Sequence, residues 1–119
     1  MSEYRLTDES RAFANKIVFL CRKMKSNGTE YPLTSQLLRC GTSIGANCYE
    51  AQYAQGTKDF ISKLEIALKE CNETQYWLSL LHDTGDIDDD SFNAFNADAG
   101  TIRRVLISSI RTSKQNLSK

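Results

Sequence analysis

Residues 33–51 read LTSQLLRCGTSIGANCYEA, and turned by about 100° per residue they resolve into three strips rather than two. Leu33, Leu37, Cys40, Ile44, Cys48 and Ala51 form an apolar face. Gln36, Arg39, Ser43, Asn47 and Glu50 line one flank of that face, and Gly41 and Gly45 line the other. The segment therefore reads as a helix with a core face, a polar boundary and a bare seam. The two glycines remove side chains one turn apart, so another backbone can approach closely there. Each costs about 1 kcal/mol of helix stability relative to alanine, which a close helix contact, within one subunit or between two, can offset. The polar flank sits at the core boundary, where such groups need partners.

The next helix supplies those partners. A second helix starting near Pro32, a residue tolerated in a first turn, runs to about Gln55, and Gly56-Thr57 breaks and recaps the chain. The third spans about 58–82, with a core face of Phe60, Leu64, Ala67, Cys71 and Leu78 and with Leu68 and Gln75 at its margin. Beside that face lie Lys63, Glu70 and Thr74, then Ile66, Trp77 and Leu80 with Glu73 among them. Arg39 with Glu70 or Glu73, and Glu50 with Lys63, are candidate interhelical pairs, read as structural ion pairs in preference to an active site. Ile66, Trp77 and Leu80 are bulky residues beyond the one buried stripe that a lone bundle needs. Together with the glycine seam they predict a homo-oligomer.

Two further helical periods complete the chain. The first helix covers about 8–26, with Phe13, Ile17, Leu20, Cys21 and Met24 on one face. Thr7 or Asp8 caps its start, Lys23 and Lys25 occupy its last turn, and Asn27-Gly28 supplies a left-handed stop. Thr84-Gly85-Asp86 forms the turn before the fourth helix, which Asp88 caps and which runs to about Lys114. Its stripe is Phe92, Phe95, Ala99, Ile102, Leu106 and Ile110, and Gln115 to Lys119 are expected to fray. Helices of roughly 25 residues span about 37 Å, and short connections force neighbours to run antiparallel. The expected fold is all-α, an antiparallel up-down-up-down four-helix bundle forming a single domain over residues 1–119.

Composition narrows the function. Fifteen basic and fifteen acidic residues give a formal net charge of zero, which argues against a generally basic nucleic-acid binder or a polybasic membrane-surface protein. The start of the chain has no basic segment followed by an apolar stretch, and no run approaches the roughly 18 apolar residues of a membrane span. The four cysteines, Cys21, Cys40, Cys48 and Cys71, form no CxxC pair and fall inside apolar helical patterns. They read as free core thiols of a cytoplasmic protein. Charge is nevertheless segregated. Residues 83–100 carry six aspartates and no base, and residues 101–119 carry five bases and no acid. Mutual neutralisation of neighbouring helix ends is preferred: the acidic turn beside Arg22, Lys23 and Lys25, and the basic tail beside Asp8 and Glu9. The alternative is a phosphate-binding strip of Arg103, Arg104, Arg111 and Lys114.

Catalytic and metal patterns are weak. The single histidine, His82, has no Glu-x-x-His partner and no zinc spacing. It is expected to cap carbonyls or to meet the adjacent aspartates. Asp86-x-Asp88-x-Asp90 opens like a calcium loop, but Ser91 stands where glycine is required and Ala97 where glutamate is. GTSIG at 41–45 lacks the lysine and flanking glycines of a phosphate loop. No serine or cysteine has an identifiable base. The expectation is a protein that is not an enzyme, with no metal, cofactor or small-molecule substrate.

The strip on the second helix carries a resemblance. Gln36-Leu37-Leu38-Arg39-Cys40-Gly41-Thr42-Ser43-Ile44-Gly45-Ala46-Asn47, then Glu50-Ala51, resembles the signature of the 23S rRNA intervening-sequence proteins. The third helix continues it with Lys58-Asp59-Phe60-Ile61, Lys63-Leu64, Ala67-Leu68-Lys69-Glu70, Glu73-Thr74 and Tyr76-Trp77-Leu78. The likeness is close from 36 to about 81, looser at Phe13, Ala14 and Ile17, and limited to length and polarity in the fourth helix. It implies a bacterial four-helix bundle that assembles as a ring-like homopentamer, in a family whose molecular role is largely undefined. It also implies a similarity of fold to the accessory variability protein of diversity-generating retroelements, a pentamer that binds nucleic acid and a reverse transcriptase through a basic surface. The neutral total charge and the acidic third turn of this chain depart from that relative. On this reading Arg39, Gly41, Ser43, Gly45, Asn47, Glu50, Lys63, Glu70, Glu73 and Trp77 form a structural or interface signature. The alternative function is RNA or DNA binding through the strip on the fourth helix.

Overall fold

In the computed structural model, which describes residues 3–118, four α-helices follow one another: α1 (Glu3–Ser26), α2 (Tyr31–Ala51), α3 (Thr57–Asp83) and α4 (Asp89–Ser118). No strand occurs among the described residues. The body measures 52 × 21 × 19 Å, about the length of its longest helix and two helices across.

The contacts run in opposite order along each successive pair of helices. On α1 and α2, the Cys21 thiol donates to Thr34 O at 3.6 Å, while Gly41 lies against Ile17 and Gly45 against Ser10. On α2 and α3, Arg39 meets Glu70 and Glu50 meets Lys63. On α3 and α4, His82 meets Asp89, Cys71 meets Ala99 O at 3.3 Å, Asn72 meets Arg103, and Glu65 meets Lys114. α4 then closes on α1 through the Phe13 and Phe95 rings, edge to face at 6.1 Å, and a Lys16–Asp98 ion pair of 3.2 Å.

The apolar stripes read from the helical period fill the core. Phe13, Ile17, Leu20, Cys21 and Met24 are buried, as are Leu37, Cys40, Ile44, Cys48 and Ala51. So are Leu64, Ala67, Cys71 and Leu78, and Ala99, Ile102, Leu106 and Ile110. Leu33, Phe60, Phe92 and Phe95, at the ends of the stripes, are partly buried against them. Leu6, Ile61, Leu81 and Ile87 add to the core. No buried side-chain nitrogen or oxygen among the described residues lacks a partner.

Helix ends follow capping chemistry. Gly28 and Gly85 adopt φ of 91° and 80°, the left-handed conformation that glycine enters without a Cβ penalty. Each closes its helix with paired bonds: Thr29 N to Met24 O and Gly28 N to Lys25 O, and Asp86 N to Leu81 O and Gly85 N to His82 O. Asp88 caps α4, its carboxylate accepting the Ser91 amide at 2.7 Å.

Three boundaries differ from the expectation. α1 begins at Glu3, because burial of Leu6 and Ser10 extends its core stripe by a turn, so Thr7 and Asp8 lie inside the helix and do not cap it. Ser10 instead donates back to Thr7 O. α2 stops at Ala51, short of Gln55, because the amides of Tyr53 and Ala54 drop to the carbonyls of Glu50 and Ala51. The Gln55 amide is taken by Asp59 at 3.2 Å, and the chain turns through extended Gly56 into α3. α4 continues through Ser118, so Gln115 to Ser118 are helical rather than frayed. Lys119 lies outside the described residues.

Candidate interaction surfaces

Four surfaces hold the polar residues singled out from the sequence. Along the α2–α3 seam, Arg39 donates through Nη1 to Glu70 at 2.9 Å and through Nη2 to Glu73, while Gln36 Oε1 accepts from the same guanidinium at 3.4 Å. Burial alone would lower the Arg39 pKa, and the two carboxylates outweigh it, leaving the group above its ordinary value. Glu73 also accepts the Trp77 indole N–H at 3.1 Å. About three turns away, Lys63 meets Glu50 at 3.3 Å. Two ion-pair stations thus join α2 to α3.

Not all of the polar flank reaches α3. Ser43 donates to Arg39 O at 2.7 Å and Asn47 to Ser43 O at 2.8 Å, so both bond the carbonyl one turn back on their own helix. The glycine flank faces α1. A Cβ on Gly45 would sit 3.2 Å from Ser10 O, and one on Gly41 would sit 2.8 Å from Ile17 Cγ2. The seam is thus an intramolecular contact, and the glycines lend no weight to association between subunits.

At the α3–α4 turn, His82 Nε2 lies 2.7 Å from Asp89, and its ring stacks on Phe92 at 4.3 Å. Asp86 accepts from Thr29 and Thr84. The Ser91 amide bond holds the Asp88 carboxyl below its usual range. These aspartates are used in capping and bracing. No cluster of metal-ligating side chains occurs among the described residues.

The candidate strip on α4 is exposed but partly engaged by α3. Arg103 donates to Asn72 at 2.9 Å, Lys114 meets Glu65 at 3.1 Å, and Arg104 bonds Thr101 on its own helix. The partner of Lys114 is therefore on α3, and not Asp8 or Glu9 as expected from charge blocks. Arg111 borders a shallow groove floored by Leu68, Ile107 and Ile110. The four cysteines are free and buried. Burial pushes the thiols of Cys21, Cys48 and Cys71 up to about 11 and raises Cys40.

A further surface had no counterpart in the sequence reading. Tyr31, Leu38, Tyr49 and Tyr53 stand exposed along the outer side of α2 and just past its end. Tyr49 and Tyr53 contact each other with ring centroids 5.4 Å apart. The signal was present as an outer ridge at 31, 38, 42, 49 and 53, which keeps a helical period on the side of α2 away from α3.

Four core-packed helices with free thiols and a ladder of α2–α3 ion pairs place the chain among all-α helical proteins. The family model of the 23S rRNA-intervening sequence protein matches residues 2–108, and the chain belongs to that family. It is similar to a protein of unknown function from the S23 ribosomal protein family of Bacteroides thetaiotaomicron VPI-5482 whose crystal structure is solved. That likeness has 45% identity and a TM-score of 0.90, and it covers 93% of this chain and 99% of the other. No curated protein matches. No helix among the described residues is long and apolar enough to cross a membrane.

Proposed function

We propose that this protein acts without catalysis, as a self-associating helical module of the bacterial cytoplasm. Its helices run up, down, up and down as an antiparallel bundle, a reading supported by the opposite order of contacts along each successive pair. The observation that carries self-association is the outer surface of α3. Ile66 and Tyr76 are exposed there, with Trp77 and Leu80 half-buried beside them. This apolar area lies outside the core stripe and is rimmed by Lys69, Glu73 and Arg39, the composition of a protein-binding patch. The ion pairs of Arg39 and Glu50 hold α2 and α3 in register, so the patch is presented on a fixed pair of helices. A homopentameric ring, and a fold shared with the accessory variability protein of diversity-generating retroelements, are what the family resemblance leads us to expect. Nucleic-acid binding by Arg103, Arg104, Arg111 and Lys114 has less support, because Arg103 and Lys114 already have partners on α3.

Light scattering tests the proposal. The expected mass at micromolar concentration is a multiple of the 13.4 kDa protomer, falling when Ile66→Asp and Tyr76→Asp are combined. A monomeric mass for the unaltered protein refutes it. Arg39→Ala should cost about 1 kcal/mol or less of stability, since the side chain is close to half exposed. If neither the unfolding midpoint nor the mass changes, the register role fails.

A further inference from the structure

Eight large apolar side chains stand exposed among the described residues, and six of them fall on two sides of the bundle. Ile66 and Tyr76 belong to the α2–α3 side, the patch that carries the proposed self-association. Tyr31, Leu38, Tyr49 and Tyr53 belong to the α1–α2 side. Within this second side lies a groove floored by Ala14 and Ala46 and walled by Arg11, Thr42, Tyr49 and Glu50. One cation and one carboxylate balance the charge of its walls, and its floor carries nothing larger than a methyl group. Such a groove suits a bulky, uncharged side chain.

Heights along the bundle match the two sides to each other. Arg39 meets Glu70 and Glu73, and Glu50 meets Lys63, so these residues of α2 and α3 are level in pairs. Between the two stations Ala46, at the groove floor, is level with Ile66. Tyr31, about two turns before Arg39, is level with the turn of α3 that carries Trp77 and Leu80. At that end Lys25 stands 5.5 Å from the Tyr31 ring centroid, and Asp83 follows Leu80 by one turn. Both charges are exposed, and neither enters an ion pair among the described residues. Rotating one copy about an axis parallel to the helices leaves every height unchanged. It therefore brings Ile66 to the groove of the next copy, Leu80 to its Tyr31 and Asp83 to its Lys25. A two-fold contact between like patches would cover one apolar side and leave the other bare. The α1–α2 and α2–α3 sides share α2 and stand at about a right angle in a four-helix cross-section. Head-to-tail contacts through two such sides turn a row of copies in one sense and close it after a few. A side of the 52 × 21 × 19 Å body offers about 1,000 Å², above the roughly 800 Å² per partner of a standard stable interface.

We propose that the α3 patch docks on the α1–α2 face of a second copy, with Ile66 in the groove between Ala14 and Ala46, Leu80 against Tyr31, and Asp83 paired with Lys25. This contact rests on the self-association reading and supplies the surface that receives the patch.

Light scattering on paired variants tests it. Ile66→Asp with Tyr76→Asp removes the patch, and Tyr31→Asp with Tyr49→Asp removes the receiving face. Each variant alone should have the 13.4 kDa mass of a protomer. Mixed in equal amounts they retain one complementary pair of faces, so the mixture should reach twice that mass and grow no further. Circular dichroism verifies that each variant folds. Cross-linking reads the same contact with both faces present. Chains with Ala46→Cys, exchanged with chains with Ile66→Cys and mildly oxidised, should give a disulfide-linked dimer that neither gives alone, the native thiols being buried. Cross-linking of Ile66→Cys chains to one another shows like patches meeting and overturns the proposal. A mixture of the aspartate variants that stays monomeric, with no mixed cross-link, overturns it equally. If the receiving-face variant keeps the full mass while the patch variant loses it, the docking surface is wrong and self-association stands. A monomeric mass for the unaltered protein overturns both.

Discussion

Replacing Gly41 by alanine isolates the packing of α1 on α2. A Cβ at this position would lie 2.8 Å from Ile17 Cγ2, 3.0 Å from Cγ1 and 3.2 Å from Cδ1. Carbon pairs pack best at about 3.5–4.0 Å, so all three atoms must retreat. Ile17 is fully buried and stiff at χ1, which leaves it little room. Overpacking of this kind costs about 1–3 kcal/mol, while exchanging a mid-helix glycine for alanine returns about 1 kcal/mol. The expected net loss is about 1 kcal/mol. With an unfolding entropy of about 2.1 cal/mol/K per residue over 119 residues, that lowers Tm by about 4 °C. The decisive comparison repeats Gly41→Ala in an Ile17→Ala background. That background itself costs about 2–5 kcal/mol, but it removes every atom in the clash. There Gly41→Ala should become stabilising, by about 1 kcal/mol or somewhat more as the new methyl fills part of the cavity. Urea unfolding of the four proteins measures the coupling, provided m stays constant. Equal effects of Gly41→Ala in the two backgrounds would refute the packing argument. Gly45→Ala provides the contrast. Its obstruction is Ser10 O at 3.2 Å and Ser10 C at 3.3 Å, which are backbone atoms, so no side-chain deletion on α1 should relieve it.

Two further outcomes follow from the caps and the thiols. With Cys21, Cys48 and Cys71 pushed up to about 11 by burial and Cys40 raised as well, the thiolates are scarce at pH 8 and shielded. A colorimetric disulfide reagent should modify the native protein slowly and all four thiols rapidly in urea. Fast native labelling would contradict the core placement. Asp88 has a carboxyl pKa lowered by the Ser91 amide, so its stabilising effect is present above the ordinary carboxylate pKa and is lost as pH falls through the folded-state value. Asp88→Ala should therefore lower Tm at neutral pH, with the gap to the unaltered protein closing in acid. A gap unchanged down to about pH 2 would exclude the capping role, and Asp88→Asn, which keeps a capping oxygen, should retain most of the neutral-pH stability.

The helical period made the core legible because burial follows one face of each helix, and on α1 Phe13, Ile17, Leu20 and Met24 repeat at the spacing that keeps them there. The partners Arg39 with Glu70 and Glu73, and Glu50 with Lys63, were also legible, since complementary charges sat on the adjoining flanks of two consecutive helices. Other features need three-dimensional information. A bare glycine seam indicates that something comes close but not what. Only the packed chain shows that Ser10 and Ile17 fill that space, and this removes one argument for a second subunit. Ser43 and Asn47 share a flank with Arg39, yet their short side chains turn back to their own helix where the longer arginine crosses to α3. Helix ends depended on details beyond pattern: Leu6 drew α1 back to Glu3, and the amides of Tyr53 and Ala54 ended α2 early.

Net charge was the least informative quantity, and the fold explains why. Zero is the sum of net +5 over each of residues 10–49 and 101–119, −6 over 83–100, and −2 over each of 1–9 and 50–82. Folding brings some of these together, at Lys16 with Asp98 and at Lys23 beside Asp88, but geometry limits the cancellation. α1 is a single helix, and only one side of it meets α4. Lys16 and Lys23 lie on that side; Arg11, Arg22 and Lys25 lie away from it, where the carboxylates at hand are Asp8 one turn before Arg11, Glu30 between the two helices, and Glu50 in the groove that Arg11 lines. Charges on opposite sides of the body, which is about 20 Å across, hardly affect one another, because exposed charges more than about 8–10 Å apart are largely screened at physiological salt. Electrostatic arguments about what this protein binds therefore apply to one face at a time.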